Sequence, residues 1–267
     1  MEGKKILILT MSCNQPYYQA LLSCVRDTWA KPLMKNEYEN ITWFAYTSCD
    51  DKHPNPGIYW DDHMIYVDCP DDLTHSYLKT QMAYNFVKMA GVEFDYVVRT
   101  NTSVFINIKN LIERVNEVTG YEILARSMYM RDLGYFCFIG FFLGCNKDIF
   151  DVGMSANNEY IRDEFGNVIP SNDDTIFSVR IFNVLKEHTM NGPINKQGDI
   201  LPAYKVYDKD DVPDNLFQLP QKDYMFDPEI VNDYVCIRYR SMYDKGDDRK
   251  KKGREMEHCY ELYNALK

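Results

Sequence analysis

Four short apolar runs, Lys5 to Thr10, Ile41 to Tyr46, Met64 to Val67 and Asp95 to Arg99, alternate with helix-like segments and loops. No other feature restricts the fold as much, because a β-α-β rhythm commits a chain to an α/β domain with a mainly parallel central sheet flanked by helices. Between the first two runs, Tyr17 to Trp29 reads as an amphipathic helix, entered at Pro16 and closed before Pro32. A second helix is predicted over Thr74 to Met89, with Leu78, Met82, Phe86 and Met89 at three- and four-residue spacing and Gly91 as its stop. A loop rich in Pro, Gly and Asp, Cys49 to Gly57, follows the second strand. A helix near Ile108 to Val118 and a strand over Glu122 to Ala125 complete the regular part.

The second half is less regular. Phe136 to Leu143 is strongly apolar, and Ser171 to Thr175 resembles the cap of a helix reaching about Leu185. Gly192 to Asp233 is rich in Pro, Asp and Asn and allows short strands at most. Tyr234 to Tyr239 reads as a late strand and Glu255 to Leu266 as a terminal helix.

In a parallel sheet, ligands bind beyond the carboxyl ends of the strands. One such end is the polar turn Asn101-Thr102-Ser103, between Tyr96 to Arg99 and the apolar Val104 to Ile106. It carries amide and hydroxyl groups and no carboxylate. The first strand ends in Met11-Ser12-Cys13-Asn14 rather than in a Gly-x-Gly-x-x-Gly turn, and no Gly-x-x-x-x-Gly-Lys-Ser/Thr loop exists. Both absences argue against a dinucleotide-type or P-loop phosphate site.

Composition narrows the classes further. The formal charge of -10 and pI near 5.0 argue against a nucleic-acid partner, which calls for cationic surface. The dense basic run, Arg249 to Arg254, is either a solvated helix start or a patch for a membrane surface or partner. Ile6 to Leu9 is too short for a signal peptide, and no apolar run has transmembrane length. The expectation is a soluble, cytoplasmic chain. Its eight cysteines show no Cys-x-x-Cys pair, which disfavours a zinc ribbon or redox motif and fits free thiols. The 21 tyrosines suit either stacking on sugars and bases or ordinary packing on strand faces.

Several blocks, in order, resemble the inverting β-1,3-glycosyltransferases of the galactosyltransferase and Fringe type, glycosyltransferase family 31. Val25 to Trp29 resembles the family's Ile-Arg-x-Thr-Trp. Asp72 to Thr80 resembles its Asp-x-Tyr-x-Asn-Leu-Thr-x-Lys-Thr, and Arg99 to Asn107 its Lys-Thr-Asp-Asp-Asp-Val-Phe-Val-Asn. Phe138 to Gly144 resembles the glycine-rich acceptor strand, and Asp173 to Thr175 the acidic catalytic element. The resemblance spans roughly residues 5 to 185 and implies one domain with a GT-A-type nucleotide-sugar transferase fold. Residues 1–130 would form the nucleotide-sugar-binding half and 131–267 the acceptor-binding half.

It also implies a nucleotide-sugar donor, UDP-linked, and a glycan or glycoprotein acceptor. Asn101 and Ser103 would line the donor site, with Arg99 beside them. Gly140 and Phe141 would meet the acceptor. Of the pair Asp173 and Asp174, one caps a helix and the other is the catalytic base, with Asp174 the first choice. Arg26 is either an ion-paired surface residue or a diphosphate or uracil contact, since its fork of donors suits an anion. Lys79 is either a phosphate contact or part of a solvated helix face.

The departure from the family is the turn, where Asn101 and Ser103 occupy the places of metal-positioning carboxylates. A neutral amide and hydroxyl are poor ligands for Mn or Mg. Three outcomes stay open. Catalysis could be metal-independent, with Arg238 and Arg240, on one face of the late strand, meeting the leaving diphosphate. A metal could be held by other groups, such as His188 or His258. Or the chain could be a catalytically inactive pseudo-glycosyltransferase that binds a sugar or nucleotide.

Overall fold

The computed structural model describes residues 3–118, 122–130, 135–155, 176–178, 180, 205–206, 217–218, 232, 235–238 and 254–267. The strands are β1 (Ile6–Met11), β2 (Ile41–Ser48), β3 (Gly57–Tyr59), β4 (Met64–Val67), β5 (Tyr96–Asn101), β6 (Val104–Ile106), β7 (Glu122–Met130), β8 (Tyr135–Asn146), β9 (Lys205–Val206), β10 (Phe217–Gln218) and β11 (Cys236–Arg238). The helices are α1 (Pro16–Asp27), α2 (Lys31–Met34), α3 (Ser76–Met89), α4 (Ile108–Glu117), α5 (Lys147–Gly153) and α6 (Arg254–Ala265).

Eight strands form the main sheet in the order β3-β4-β2-β1-β5-β8-β7-β9. The centre, β4-β2-β1-β5, is parallel, as the β-α-β rhythm predicts. β3 and β8 run antiparallel to their central neighbours β4 and β5. The central strands begin as apolar runs because both faces are covered, and turn polar towards their carboxyl ends at Thr10, Thr47, Ser48, Arg99 and Thr100. Alternation sends Ile6, Ile8, Tyr96 and Val98 into a core with α1, α4 and α6, and Leu7, Leu9 and Val97 into a second core with α3 and α5.

Local chemistry sets the helix ends. Pro16 opens α1, where its missing N–H costs nothing. Asn107 caps α4 by accepting from the Asn110 amide at 3.2 Å. Gly91 follows α3 with φ 74°, a conformation that favours glycine. The Asp72 carboxylate accepts from the His75 amide at 3.0 Å and the Thr74 hydroxyl at 2.7 Å, which delays the start of α3 from the predicted Thr74 to Ser76.

The predicted apolar stripe of α3 is corrected. Its buried face runs through Tyr77, Thr80, Ala83, Tyr84 and Val87, while Met89 is 82% exposed. Polar anchors explain the rotation. The Tyr77 hydroxyl donates to the Gly153 carbonyl at 2.7 Å, and those of Tyr84 and Tyr46 bond Asp151 and Thr80. Periodicity based on the largest apolar residues missed a face built on tyrosine.

β6 leaves the main sheet and joins a small one, β10-β11-β6. β11 pairs antiparallel with β6, setting Cys236 against Ile106 and Arg238 against Val104. The late strand predicted over Tyr234 to Tyr239 is therefore present, and it returns to the segment just after the polar turn. Among the described residues no helix is long and apolar enough to cross a membrane.

Candidate functional site

Strand order reverses at β1: β2 and β4 lie on one side of it and β5 on the other. Such a reversal opens a crevice at the carboxyl ends of the strands. Here Met11, the last residue of β1, is register partner of Asn101, the last of β5. That end of the sheet is therefore bordered by the Ser12-Cys13-Asn14 loop on one side and the Asn101-Thr102-Ser103 turn on the other.

The turn is held from within. The Asn101 side-chain oxygen accepts from the Ser103 amide at 3.0 Å and from the Ser103 hydroxyl at 2.7 Å. Thr102 and Ser103 are buried and Asn101 half-buried. The Trp29 indole N–H donates to the Val104 carbonyl at 3.0 Å and anchors the exit of the turn to the end of α1. β8 passes on the far side. Phe142 pairs with Thr100, so Phe141 and Gly140 continue along β8 past the end of β5, on the side of the turn. Arg238 is the register partner of Val104, beside Ser103. The backbone thus brings Asn101, Ser103, Gly140, Phe141 and Arg238 to one end of the sheet.

On the side of β1 away from β5 the site is polar and tied together. The Asp71 carboxylate accepts from the Asn14 amide at 2.6 Å, from the Ser48 hydroxyl at 3.4 Å and from the Lys79 ammonium. The Asn14 side-chain Nδ2, distinct from its backbone N–H, donates to the carbonyls of Ser48 at 3.0 Å and Cys49 at 3.3 Å, and its Oδ1 accepts from the Thr47 hydroxyl at 2.9 Å. Burial pushes the thiols of Cys49 and Cys69, which flank this cluster, above their ordinary range. Neighbouring Asp72 is a separate helix-cap carboxylate, held down to about 2 by the Thr74 hydroxyl first and His75 next.

Several sequence readings change here. Lys79 is not on a solvated face, since only 3% of its side chain is exposed and it is ion-paired. Arg26 does not join the crevice. α1 starts at the carboxyl ends and runs back from them, and Arg26, in its last turn, donates to the Asp62 carbonyl at 2.6 Å. Arg99 is 3% exposed on β5 with a guanidinium nitrogen 3.6 Å from the Met11 sulfur, so it underlies the crevice rather than lining its mouth. His258 pairs with Glu261 on its own helix at 2.9 Å. Asp173, Asp174, His188 and Arg240 lie outside the described residues.

Asn14, Ser48 and Asp71 were missed by sequence reasoning. Asp71 had a signal in being one turn and a loop ahead of Lys79, but adjacent Asp72 drew the assignment. Asn14 had none beyond following the first strand.

The residues of the turn do not fit a divalent cation. It offers no carboxylate, and its one amide oxygen already accepts two hydrogen bonds. Among the described residues, no cluster of three or more His, Cys, Asp or Glu could hold a metal ion.

This arrangement, a largely parallel central sheet with a strand-order reversal and helices on both faces, is an α/β fold similar to that of solved sugar transferases. Comparison with solved structures bears this out. The chain is similar to a glycosyltransferase involved in the glycosylation of the major capsid of PBCV-1, at 14% identity over 96% of this chain and 98% of that one, with a TM-score of 0.50. A protein assigned as a nucleotide-diphospho-sugar transferase from Desulfovibrio desulfuricans gives 13% identity over 77% and 80%, with a TM-score of 0.38, too slight a likeness to build on. No family model matches the chain, and no curated protein matches it. The fold is thus that of the GT-A type.

Proposed function

We propose that the chain is an inverting glycosyltransferase that moves a sugar from a UDP-sugar donor to a hydroxyl of a glycan or glycoprotein acceptor, without a divalent metal. The observation that carries this reading is the position of the Asn101 to Ser103 turn. It sits at the strand-order reversal, faced by the β1 loop and met by β8 and β11.

In this reading the acceptor oxygen attacks the anomeric carbon from the face opposite the diphosphate. Its proton passes to a carboxylate of the acidic pair, Asp174 in the first place and Asp173 as the alternative. The bond between the anomeric carbon and the diphosphate oxygen breaks, and the electron pair leaves with the diphosphate. Arg238 and Arg240 meet the charge that develops there, since electrostatic stabilisation requires only positive groups in the right place. Gly140 and Phe141 lie on the acceptor side. The lack of a carboxylate at the turn supports the metal-free clause.

A hydrolysis and transfer screen across nucleotide sugars, run with EDTA and with Mn or Mg, tests the proposal. The expected result is turnover of a UDP-sugar that EDTA leaves unchanged. Loss in EDTA with recovery in Mn would remove the metal-free clause. Nucleotide binding without turnover of any donor would point to a binding module instead. Replacing Asp174 by Asn is expected to lower transfer by about 10²–10⁴-fold, and unchanged turnover would remove it as the base.

A further inference from the structure

Resting on the nucleotide-sugar reading above, we infer that Asp71 and Lys79 are a positioning pair for the uncharged, nucleoside end of the donor, and that neither meets its diphosphate. Lys79 lies on the face of α3 turned towards the sheet, 3% exposed, with its ammonium on the Asp71 carboxylate. A diphosphate brought against Lys79 would meet Asp71 as well, and the pair sums to zero charge. The free valences of Asp71 go to Asn14 and Ser48, and those of Asn14 to Thr47, Ser48 and Cys49.

What the pair delivers is a fixed loop. The carboxylate holds the Asn14 amide three positions after Met11, and Met11 faces Asn101 across β1 and β5. A rigid, neutral wall with its polar groups already oriented selects by hydrogen bonding and shape, which suits a flat heterocycle and a ribose. The demand for cations then falls on the opposite side of the turn, where Arg238 pairs with Val104.

Uridine, UMP and UDP titrated into the parent, Lys79→Met and the double variant Lys79→Met/Asp71→Asn test this, together with hydrogen exchange of the Asn14 amide without ligand. Lys79→Met is expected to weaken all three ligands by the same factor, about tenfold, and to speed Asn14 exchange comparably. The double variant, which removes the unpaired charge, is expected to return all of these to within about threefold of the parent. A double variant that loses UDP far more than uridine would make Lys79 a phosphate contact and overturn the inference. Asn14 exchange equal in the parent and Lys79→Met would overturn it with no reference to nucleotide. Failure of the parent to bind any of the three refutes the nucleotide-sugar reading and with it the nucleoside assignment, while Asn14 exchange separately decides whether the pair fixes the loop.

Discussion

Replacing Lys79 by methionine keeps most of the side chain's volume but leaves the Asp71 carboxylate without its cation in a largely buried setting. The two side chains are 3% and 20% exposed. Breaking one partner of a buried pair costs about 3–5 kcal/mol, because the remaining charge stays desolvated and uncompensated. Asp71 keeps some solvent and two other donors, Asn14 and Ser48, so the lower end, about 3 kcal/mol, is expected. Unfolding entropy near 2.1 cal/mol/K per residue gives about 0.56 kcal/mol/K for 267 residues, so the midpoint should fall by about 5 °C. Adding Asp71→Asn neutralises the orphan while keeping an acceptor for the Asn14 amide, and should return stability to within about 1 kcal/mol of the parent. Calorimetric melts of the parent, both single variants and the double variant close the cycle. A Lys79→Met midpoint within about 1 °C of the parent, or a double variant less stable than Lys79→Met, would refute the buried-pair argument.

Three further outcomes are expected. A Cβ on Gly153 would lie 2.1 Å from the nearest atom of the buried Phe177 ring, so Gly153→Ala should lower stability by about 1–3 kcal/mol in urea melts, with relief from Phe177→Leu. The Asp72 carboxyl is held at about 2 in the folded chain against about 3.9 when unfolded. Its contribution is therefore full above pH 3.9 and lost as pH falls through 2, and NMR should show the first turn of α3 losing amide protection in that window. Trp29→Phe leaves the buried Val104 carbonyl without its indole donor and should cost about 1–3 kcal/mol, read as a lower urea midpoint.

The central sheet was legible because its strands are buried on both faces and read as unbroken apolar runs, from Ile6 to Leu9 and from Tyr96 to Val98. The turn at Asn101 was legible for the related reason that a polar cluster interrupts two such runs. The inner face of α3 was not, because it is lined by hydroxyls and a buried ammonium, groups that hydropathy assigns to solvent. The same holds for Arg26. Its position in sequence follows the first strand closely, but a helix of twelve residues carries its last turn well back from where it began. Asp71 and Asn14 are joined only in three dimensions, across loops that periodicity does not describe.

The pairing of β11 with β6 sets a clock on the site. Arg238 is made 134 residues after its partner Val104. At about 5–20 residues per second, the ribosome leaves several seconds or more in which the central sheet can assemble while the exit of the turn still lacks that neighbour. A nascent chain stopped before Cys236 can therefore carry the strand-order reversal and the Asn101 turn, yet cannot complete the edge beside them. Completion of the site thus waits on a segment translated well after the turn it adjoins.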